Sequence, residues 1–395
     1  MLLPKLHANQ YAYLNGVGCT DALVSLLNDI TKLLDNDKNF GTQLILYDFS
    51  KAFDMMQHNL LIHKLQEFGL PSTLISLISN YLDERTQCVY LKPHGVRSQI
   101  TPCDVGVPQG TLLGPTLWLA FVDSLQFREG SVVKYADDTT SFFPLRFDNV
   151  DITQKTPLEI QFKPPTTGQE LINDCYKWST ENMMMLNASK TKVLNISLKK
   201  TLTMIDKYTV TETNAVKAET DAKLLGVLID SHLNFGGHVS HVRKAANKKC
   251  HGLLMLKRSG IDQNSLVMLY KAQIIPTLTH TAAAWYPYAT GNQQEELENS
   301  QKLALRIIYP ELEHYHERLA AANISTLSEH LDNVCRKYAQ KVKDNSNHVL
   351  HHLIPKRPET IRYSRRLSSS DIYLPRTRTV KCDKNVLRNP KYLFS

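Results

Sequence analysis

The chain has 395 residues, 42% of them hydrophobic and 21% charged, enough for two or three domains with sizeable cores; a disordered, collagen-like or small disulfide-stapled protein is excluded. No apolar run reaches the roughly 18 to 20 residues of a membrane span, since the best, Leu112 to Val122, is broken by Gly114 and Pro115. The formal charge of +8 is uneven: residues 336–395 hold 15 Lys and Arg against 4 Asp and Glu, a net +11 on a body of net −3. Such an extension suits a polyanion such as nucleic acid, although a merely solvated basic segment has the same composition.

Met1 to Lys5 has neither the basic leader nor the apolar core of a signal peptide. The seven cysteines are odd in number and contain no C-x-x-C pair, which argues for reduced thiols and against a disulfide framework or zinc ribbon. An intracellular protein is expected. The groups His238/His241, His314/His316 and His348/His351/His352 lie near no suitably spaced cysteine and read as solvated or packed side chains rather than metal ligands.

Leu23, Leu26, Leu27, Ile30, Leu33 and Leu34 recur at helical steps after Thr20 and Asp21, predicting an amphipathic helix over 22–34. Residues 42–48 alternate and predict a strand that delivers Asp48 at its end. A helix follows over 59–68, closed by Gly69 and Pro71, and two β-type runs between Gln87 and Thr101 flank the turn at 92–95. Gly106 to Gly110 is a loop leading into an apolar helix over 115–124. Two short strands, 132–135 and 139–143, leave Asp137 and Asp138 as their turn.

Residues 146–168 are polar, contain three prolines and are expected to be a loop. A helix is predicted over 170–184, strands over 190–196 and 223–229, and helices over 239–257, 264–275 and 292–308. The order predicts an α+β body followed by an α-helical module and a basic tail.

Asp48 and the pair Asp137 and Asp138 are roughly 90 residues apart, yet a strand end and a hairpin turn could meet at one sheet edge. Carboxylates within about 4 to 6 Å of one another repel unless a cation intervenes. Two Mg²⁺ ions about 3.5 to 4 Å apart would resolve that repulsion and suit in-line phosphoryl transfer. The plainer alternative is that Asp137 and Asp138 are turn formers and Asp48 caps a helix.

The surrounding residues favour the first reading. Tyr135-Ala136-Asp137-Asp138 resembles the Y-x-D-D box of reverse transcriptases, Tyr47 to Asp54 resembles their first aspartate motif as written in non-LTR (LINE-type) retrotransposons, and Gly106-Val107-Pro108-Gln109-Gly110 is similar to the G-x-P-Q-G box between them. Trp178, Asn182 and Leu186 to Thr191 resemble the family's W…N…L-N-x-x-K-T segment, and Leu224 to Asp230 its primer-grip hairpin. Trp285 to Pro287 and Leu374 to Thr379 resemble the tail of jockey- and CR1-like elements, so the resemblance spans about residues 8–395.

The resemblance implies a right-hand polymerase with a ferredoxin-like palm: partial fingers at 1–40, palm with an inserted fingers segment at 41–235, helical thumb at 236–310 and a basic C-terminal region at 311–395. It implies two Mg²⁺ ions, with Mn²⁺ as an alternative, held by Asp48 and Asp137, completed by Asp138 and the backbone carbonyl of Phe49. Phe53 would lie under the incoming sugar and select deoxynucleotides, Gln109 and Gly110 would line the nucleotide and template, and Lys190 would protonate the leaving pyrophosphate. Leu225 and Gly226 would support the primer end. Arg243, Lys244, Lys248 and Lys249 on the thumb helix, with Arg365, Arg366, Arg376 and Arg378, would follow phosphates, and Tyr363 and Tyr373 could stack on bases.

The implied partners are an RNA template, a DNA primer and dNTPs, with no membrane, in nucleus and cytoplasm. Family members carry a further upstream stretch that helps hold the triphosphate and often an endonuclease before it. The chain is therefore expected to be an N-terminally truncated reading frame or a fragment, and the competing expectation is an inactive remnant that only binds nucleic acid.

Overall fold

The computed structural model describes residues 6, 9–146, 150–151, 159–162, 167–198, 203–204, 207–211, 214–355, 377 and 379–393. In chain order the first elements are α1 (Cys19–Asp35), β1 (Asn39–Tyr47), α2 (Ala52–Met55), α3 (His58–Glu67) and α4 (Ser72–Leu82). Short strands β2 (Thr86–Gln87), β3 (Tyr90–Leu91), β4 (Val96–Arg97) and β5 (Thr101–Pro102) precede α5 (Leu113–Asp123), β6 (Ser131–Tyr135) and β7 (Asp138–Arg146). Then come β8 (Val150–Asp151), β9 (Glu159–Phe162), α6 (Thr167–Glu181), β10 (Lys192–Ile196), β11 (Thr203–Met204), β12 (Lys207–Thr211) and β13 (Asn214–Glu219). After the hairpin β14 (Asp221–Leu224) and β15 (Val227–Asp230) the chain is helical: α7 (Gly236–Arg258), α8 (Gln263–Leu269), α9 (Ile275–Thr279), α10 (Ala282–Trp285), α11 (Gly291–Ile308), α12 (Tyr315–Ala322), α13 (Leu327–Asp344), α14 (Val380–Asp383) and α15 (Pro390–Leu393). The protein is α+β.

The described residues form two compact units, one drawn from 1–18, 43–195 and 201–219, the other from 19–42, 196–200 and 220–395. These units cut across a linear division of the chain, because the first long helix belongs with the C-terminal helices.

The first unit is organised by a six-stranded sheet in the order β12-β13-β10-β1-β7-β6. All nine residues of β1 are buried, as expected of an interior strand covered on both faces, and the continuous apolar run Leu44-Ile45-Leu46-Tyr47 is the sequence form of that position. Within it, Gln43 donates Nε2 to Asn195 Oδ1 at 2.5 Å and Tyr208 Oη at 2.7 Å, which pairs the nitrogen of this buried amide and leaves its Oε1 without a hydrogen bond.

Buried Lys134 on β6 donates Nζ to the carbonyls of Leu125 at 2.7 Å and Val122 at 3.0 Å, a cation at the C-terminal end of α5. Burial lowers its pKa to about 8, with the charges of Asp123 and Cys175 opposing that shift.

Two expectations are corrected here. The polar segment over 146–168 contains strands β8 and β9, which join β11 in a small sheet: Glu-Ile-Gln-Phe alternates as a strand should, and Pro157 and Pro164 bracket it rather than interrupt it. The single strand expected over 223–229 is the antiparallel hairpin β14–β15, turned at Leu225 and Gly226.

In the second unit α7 packs along α11. The helix expected over 264–275 continues through a wide π-turn at Tyr270–Ile274 into α9. Pro276 supplies the cause, since it lacks an N–H and its ring crowds the carbonyl four residues back.

Helix α1 and the C-terminal segment meet within this unit. Asp21, buried in the first turn of α1, accepts from Tyr338 Oη at 2.7 Å and lies 3.5 Å from His348 Nε2. The segment 379–393, read as part of a basic tail, is instead a packed strap. Cys382, Val386, Leu387, Tyr392 and Leu393 are buried, Thr379 N donates to Asp35 Oδ1 at 2.6 Å, and Lys391 pairs with Asp332 at 2.7 Å. Lys343 donates to the carbonyl of Leu393 at 3.3 Å and Lys384 to that of Tyr288 at 3.4 Å, so these cations serve the fold.

His238 at the start of α7 is buried, accepts at Nδ1 from Leu228 N at 3.4 Å and meets Trp285 edge-on with ring centroids 4.8 Å apart. Burial, then the charges of His241, His280 and Lys223, lower its pKa to about 4. A base whose folded pKa lies below its unfolded one costs stability where only the unfolded chain is protonated. Stability should therefore fall as pH drops from about 6.5 to 4, by about 3 kcal/mol in total. In His238→Phe the urea midpoint should lose that part of its slope over the same pH range; an unchanged slope would contradict the assignment.

Candidate active site

β1 ends at Tyr47, and Asp48 follows at once, clamped by an antiparallel bridge between Phe49 and Leu186. Asn187 N donates to Asp48 O at 2.8 Å and Ser50 N to Met185 O at 2.8 Å. These two bonds use neither the N–H nor the carbonyl of Phe49. The Asp48 side chain is 32% exposed, and its Oδ2 lies 3.5 Å from Lys190 Nζ. That oxygen is buried and accepts no hydrogen bond. Lys190 precedes β10 in the turn after Asn187, with a side chain that is 67% exposed.

The hairpin β6–β7 pairs Tyr135 directly with Asp138. Its turn is therefore Ala136 and Asp137, not Asp137 and Asp138, and Asp138 opens strand β7. Ala136 takes a left-handed φ of 56°, and Trp118 on α5 holds the turn by donating Nε1 to Ala136 O at 2.8 Å.

The Asp138 carboxyl is raised to about 6, first by crowding from the surrounding protein and then by the charges of Asp137 and Asp48, although the residue as a whole still reaches solvent. The Tyr13 hydroxyl is raised by burial and by Asp137. The three aspartates are thus within electrostatic reach of one another. Among the described residues, no group of three or more His, Cys, Asp or Glu side chains is drawn together tightly enough to enclose an ion. The cluster is one of neighbouring carboxylates, not a closed cage.

The loop that begins at Gly106 docks on the turn after Asp48. Lys51, at φ 49°, starts the single-turn helix α2. Gly106 N donates to Met56 O at 2.7 Å and Val107 N to Phe53 O at 2.9 Å, while His58 Nε2 and Arg85 donate to Gly106 O at 2.8 and 3.1 Å. A Cβ at Gly106 would lie 2.7 Å from Asp54 O, at a φ of 79°, so only glycine permits this approach.

Gln109 donates Nε2 to Asp54 Oδ1 at 2.8 Å, and Gly110 at φ 78° has open space where a side chain would be. The Phe53 ring is half-buried, 5.3 Å from the ring of Trp118. Phe53, Trp118 and the Asp137 turn are therefore joined by direct contacts. Sequence reasoning missed Trp118 because nothing distinguishes a tryptophan within an apolar helix. Asp54 stood inside a recognised motif without a role, and Lys134 could have been noticed as a lysine in an apolar strand.

In the second unit, Leu225 at φ 47° and Gly226 at φ 87° form the β14–β15 turn. Arg243 pairs with Glu296 at 3.0 Å, and Lys249 donates to Gln273 O at 2.9 Å and Thr277 Oγ1 at 2.7 Å, so neither projects freely. Lys244 and Lys248 are exposed one turn apart on α7 and form no ion pair among the described residues. Arg365, Arg366, Arg376 and Arg378, with Tyr363 and Tyr373, lie outside the described residues.

Residues 1–229 match the family model described as reverse transcriptase (RNA-dependent DNA polymerase), and the chain belongs to that family. Among curated proteins it is similar to the RNA-directed DNA polymerase from mobile element jockey of Drosophila melanogaster, 23% identical over 87% of this chain and 36% of that protein. The probable RNA-directed DNA polymerase from transposon BS of the same species is 23% identical over 89% of this chain and 38% of that protein. Its counterpart from transposon X-element is 26% identical over 70% and 29%. The chain thus spans little more than a third of the length of the jockey and BS proteins. Apo telomerase from Candida tropicalis aligns with a TM-score of 0.39 at 11% identity, over 89% of this chain and 58% of that one, a level from which no correspondence of parts follows.

Proposed function

We propose that the chain is the polymerase region of a non-LTR retrotransposon enzyme that adds deoxynucleotides to a DNA primer 3′-hydroxyl on an RNA template. The observation that carries this reading is Asp48 at the end of β1 in electrostatic reach of Asp137 and Asp138, three carboxylates that among the described residues face a single nearby cation, Lys190, 3.5 Å from Asp48 Oδ2. One exposed lysine offsets only part of the charge of three carboxylates, and a cluster of that kind fits a divalent cation.

Asp48 and Asp137 would hold two Mg²⁺ ions, or Mn²⁺, with Asp138 and the unspent Phe49 carbonyl completing the donors. When bound, the ions would supply charge stabilisation for the attacking and leaving oxygens of an in-line displacement. Phe53, fixed against Trp118, lies under the sugar and excludes a 2′-hydroxyl. Gln109 and Gly110 offer an open backbone edge to template and nucleotide. Lys190, beside Asp48, donates a proton to the departing pyrophosphate.

In this reading 1–40 corresponds to partial fingers, 41–235 to palm, 236–310 to thumb and 311–395 to a C-terminal region. The exposed pair Lys244 and Lys248 on the thumb helix is placed to follow phosphates.

The test is extension of oligo(dT) on poly(rA). Incorporation of dTTP should require Mg²⁺, stop with EDTA and return on repletion, and Phe53→Ala should raise the share of UTP incorporated. Binding of nucleic acid with steep salt dependence but no incorporation would instead favour the inactive remnant.

A further inference from the structure

The β14–β15 turn is an unusual one to leave unsupported. A two-residue hairpin turn with both central residues at positive φ suits Asn-Gly or Gly-Gly, whereas here the first position is Leu225 at φ 47°. A leucine there is strained by its own Cβ, so something outside the hairpin must stabilise the turn.

His280, between α9 and α10, does so from across the fold of the same unit. Its Nε2 lies 3.2 Å from the carbonyl of Leu225. A carbonyl only accepts, so Nε2 carries the proton and donates. The ring also fills the space beside Gly226: a Cβ at 226 would meet His280 Nε2 at 2.9 Å and Cδ2 at 3.2 Å.

The histidine is itself anchored. Its carbonyl accepts from Trp285 Nε1 at 3.0 Å and from Thr281 Oγ1 at 2.8 Å, and Thr281 is held at a left-handed φ of 49°. Trp285 and Thr281 are buried, whereas His280 is exposed. An exposed side chain fixed at its base and spent on one turn carbonyl is placed to shape that turn.

We propose that His280 is a positioning residue that holds the Leu225–Gly226 turn in the form that receives the primer 3′ end. The inference rests on the polymerase reading above and deepens it. His280 touches no reacting atom, and its effect should appear in primer engagement rather than in the chemical step.

Fluorescence anisotropy with a labelled primer annealed to an RNA template, beside the same template unprimed, tests this. His280→Ala should weaken primed-template binding five- to tenfold and leave unprimed binding within twofold. His280→Gln, which keeps a donor at similar reach, should stay within twofold of the unsubstituted chain on both. In extension assays His280→Ala should raise the KM for primer-template by the same factor, with kcat and the KM for dTTP unchanged. Gly226→Ala, whose Cβ would meet the ring at 2.9 Å and also strains the turn at its φ of 87°, should show at least the same defect. Equal loss on primed and unprimed template, or a His280→Gln that is as weak as His280→Ala, would overturn the assignment. If His280→Ala does not fold, His280→Phe, which keeps a ring but removes the donor, takes its place beside His280→Gln. An unsubstituted chain that shows no preference for primed template would remove the primer reading of the turn itself, whereas primer-dependent extension indifferent to His280→Ala removes only the role of His280.

Discussion

Asp137→Asn should lower dNTP incorporation by at least about a thousandfold, about 4 kcal/mol of transition-state stabilisation, while leaving the unit folded. The two side chains are nearly the same shape, and the turn that carries them is held by backbone geometry and by Trp118 Nε1 on Ala136 O, neither of which depends on the carboxylate. Removing one negative charge beside Asp138 and Asp48 also relieves repulsion. The urea midpoint of the variant should therefore be unchanged or slightly higher. That opposition between activity and stability is the discriminating result. Wild-type incorporation would remove Asp137 from the metal-binding set, and a fall in activity matched by unfolding would show the residue to be structural.

A chain ending at residue 378 should fail to fold its C-terminal unit. The strap it loses buries Cys382, Val386, Leu387, Tyr392 and Leu393 and supplies partners to Asp35, Asp332 and Lys343. Each large apolar side chain is worth about 1.5 to 3 kcal/mol when buried, so the sum rivals the 5 to 15 kcal/mol that holds a whole domain. The point variant Leu387→Ala isolates the packing part and should cost about 2 to 5 kcal/mol. Denaturation followed by tryptophan fluorescence reads both, because Trp285 is buried in this unit. A truncated chain with a native-like cooperative transition would return the segment to the status of a solvated tail.

The elements around the aspartates were legible because they are local. The short apolar run that ends at Asp48, expected as an alternating strand but buried on both faces, and the two short strands around Ala136 and Asp137 are patterns of a few residues, and the boxes that flank them are contiguous. What the sequence hid was long-range. The close approach of Gly106 to Asp54 depends on backbone placement, and nothing in Gly-Val-Pro-Gln-Gly says which turn it will meet. The C-terminal strap was misread because its buried positions are sparse among Lys and Arg, so the charge dominated the composition while tertiary contact decided the burial. The single-residue error in the β6–β7 turn arose because Ala136 is an uncommon occupant of a left-handed turn position, and two adjacent aspartates looked like the better turn. Lys134 gave the opposite lesson, since a lysine where a strand should be apolar was a visible anomaly with a local cause, the open end of α5.

The joining of α1 to the last residues has a bearing on biosynthesis. Asp21 meets Tyr338, Val24 meets Asn385, and Asp35 meets Thr379, separations of 317, 361 and 344 residues. Ribosomes add roughly 5 to 20 residues per second, so α1 waits tens of seconds after emergence with Leu23, Leu26, Leu27 and Ile30 uncovered before its partners exist. Throughout that interval a greasy helix is available to chaperones and to neighbouring nascent chains.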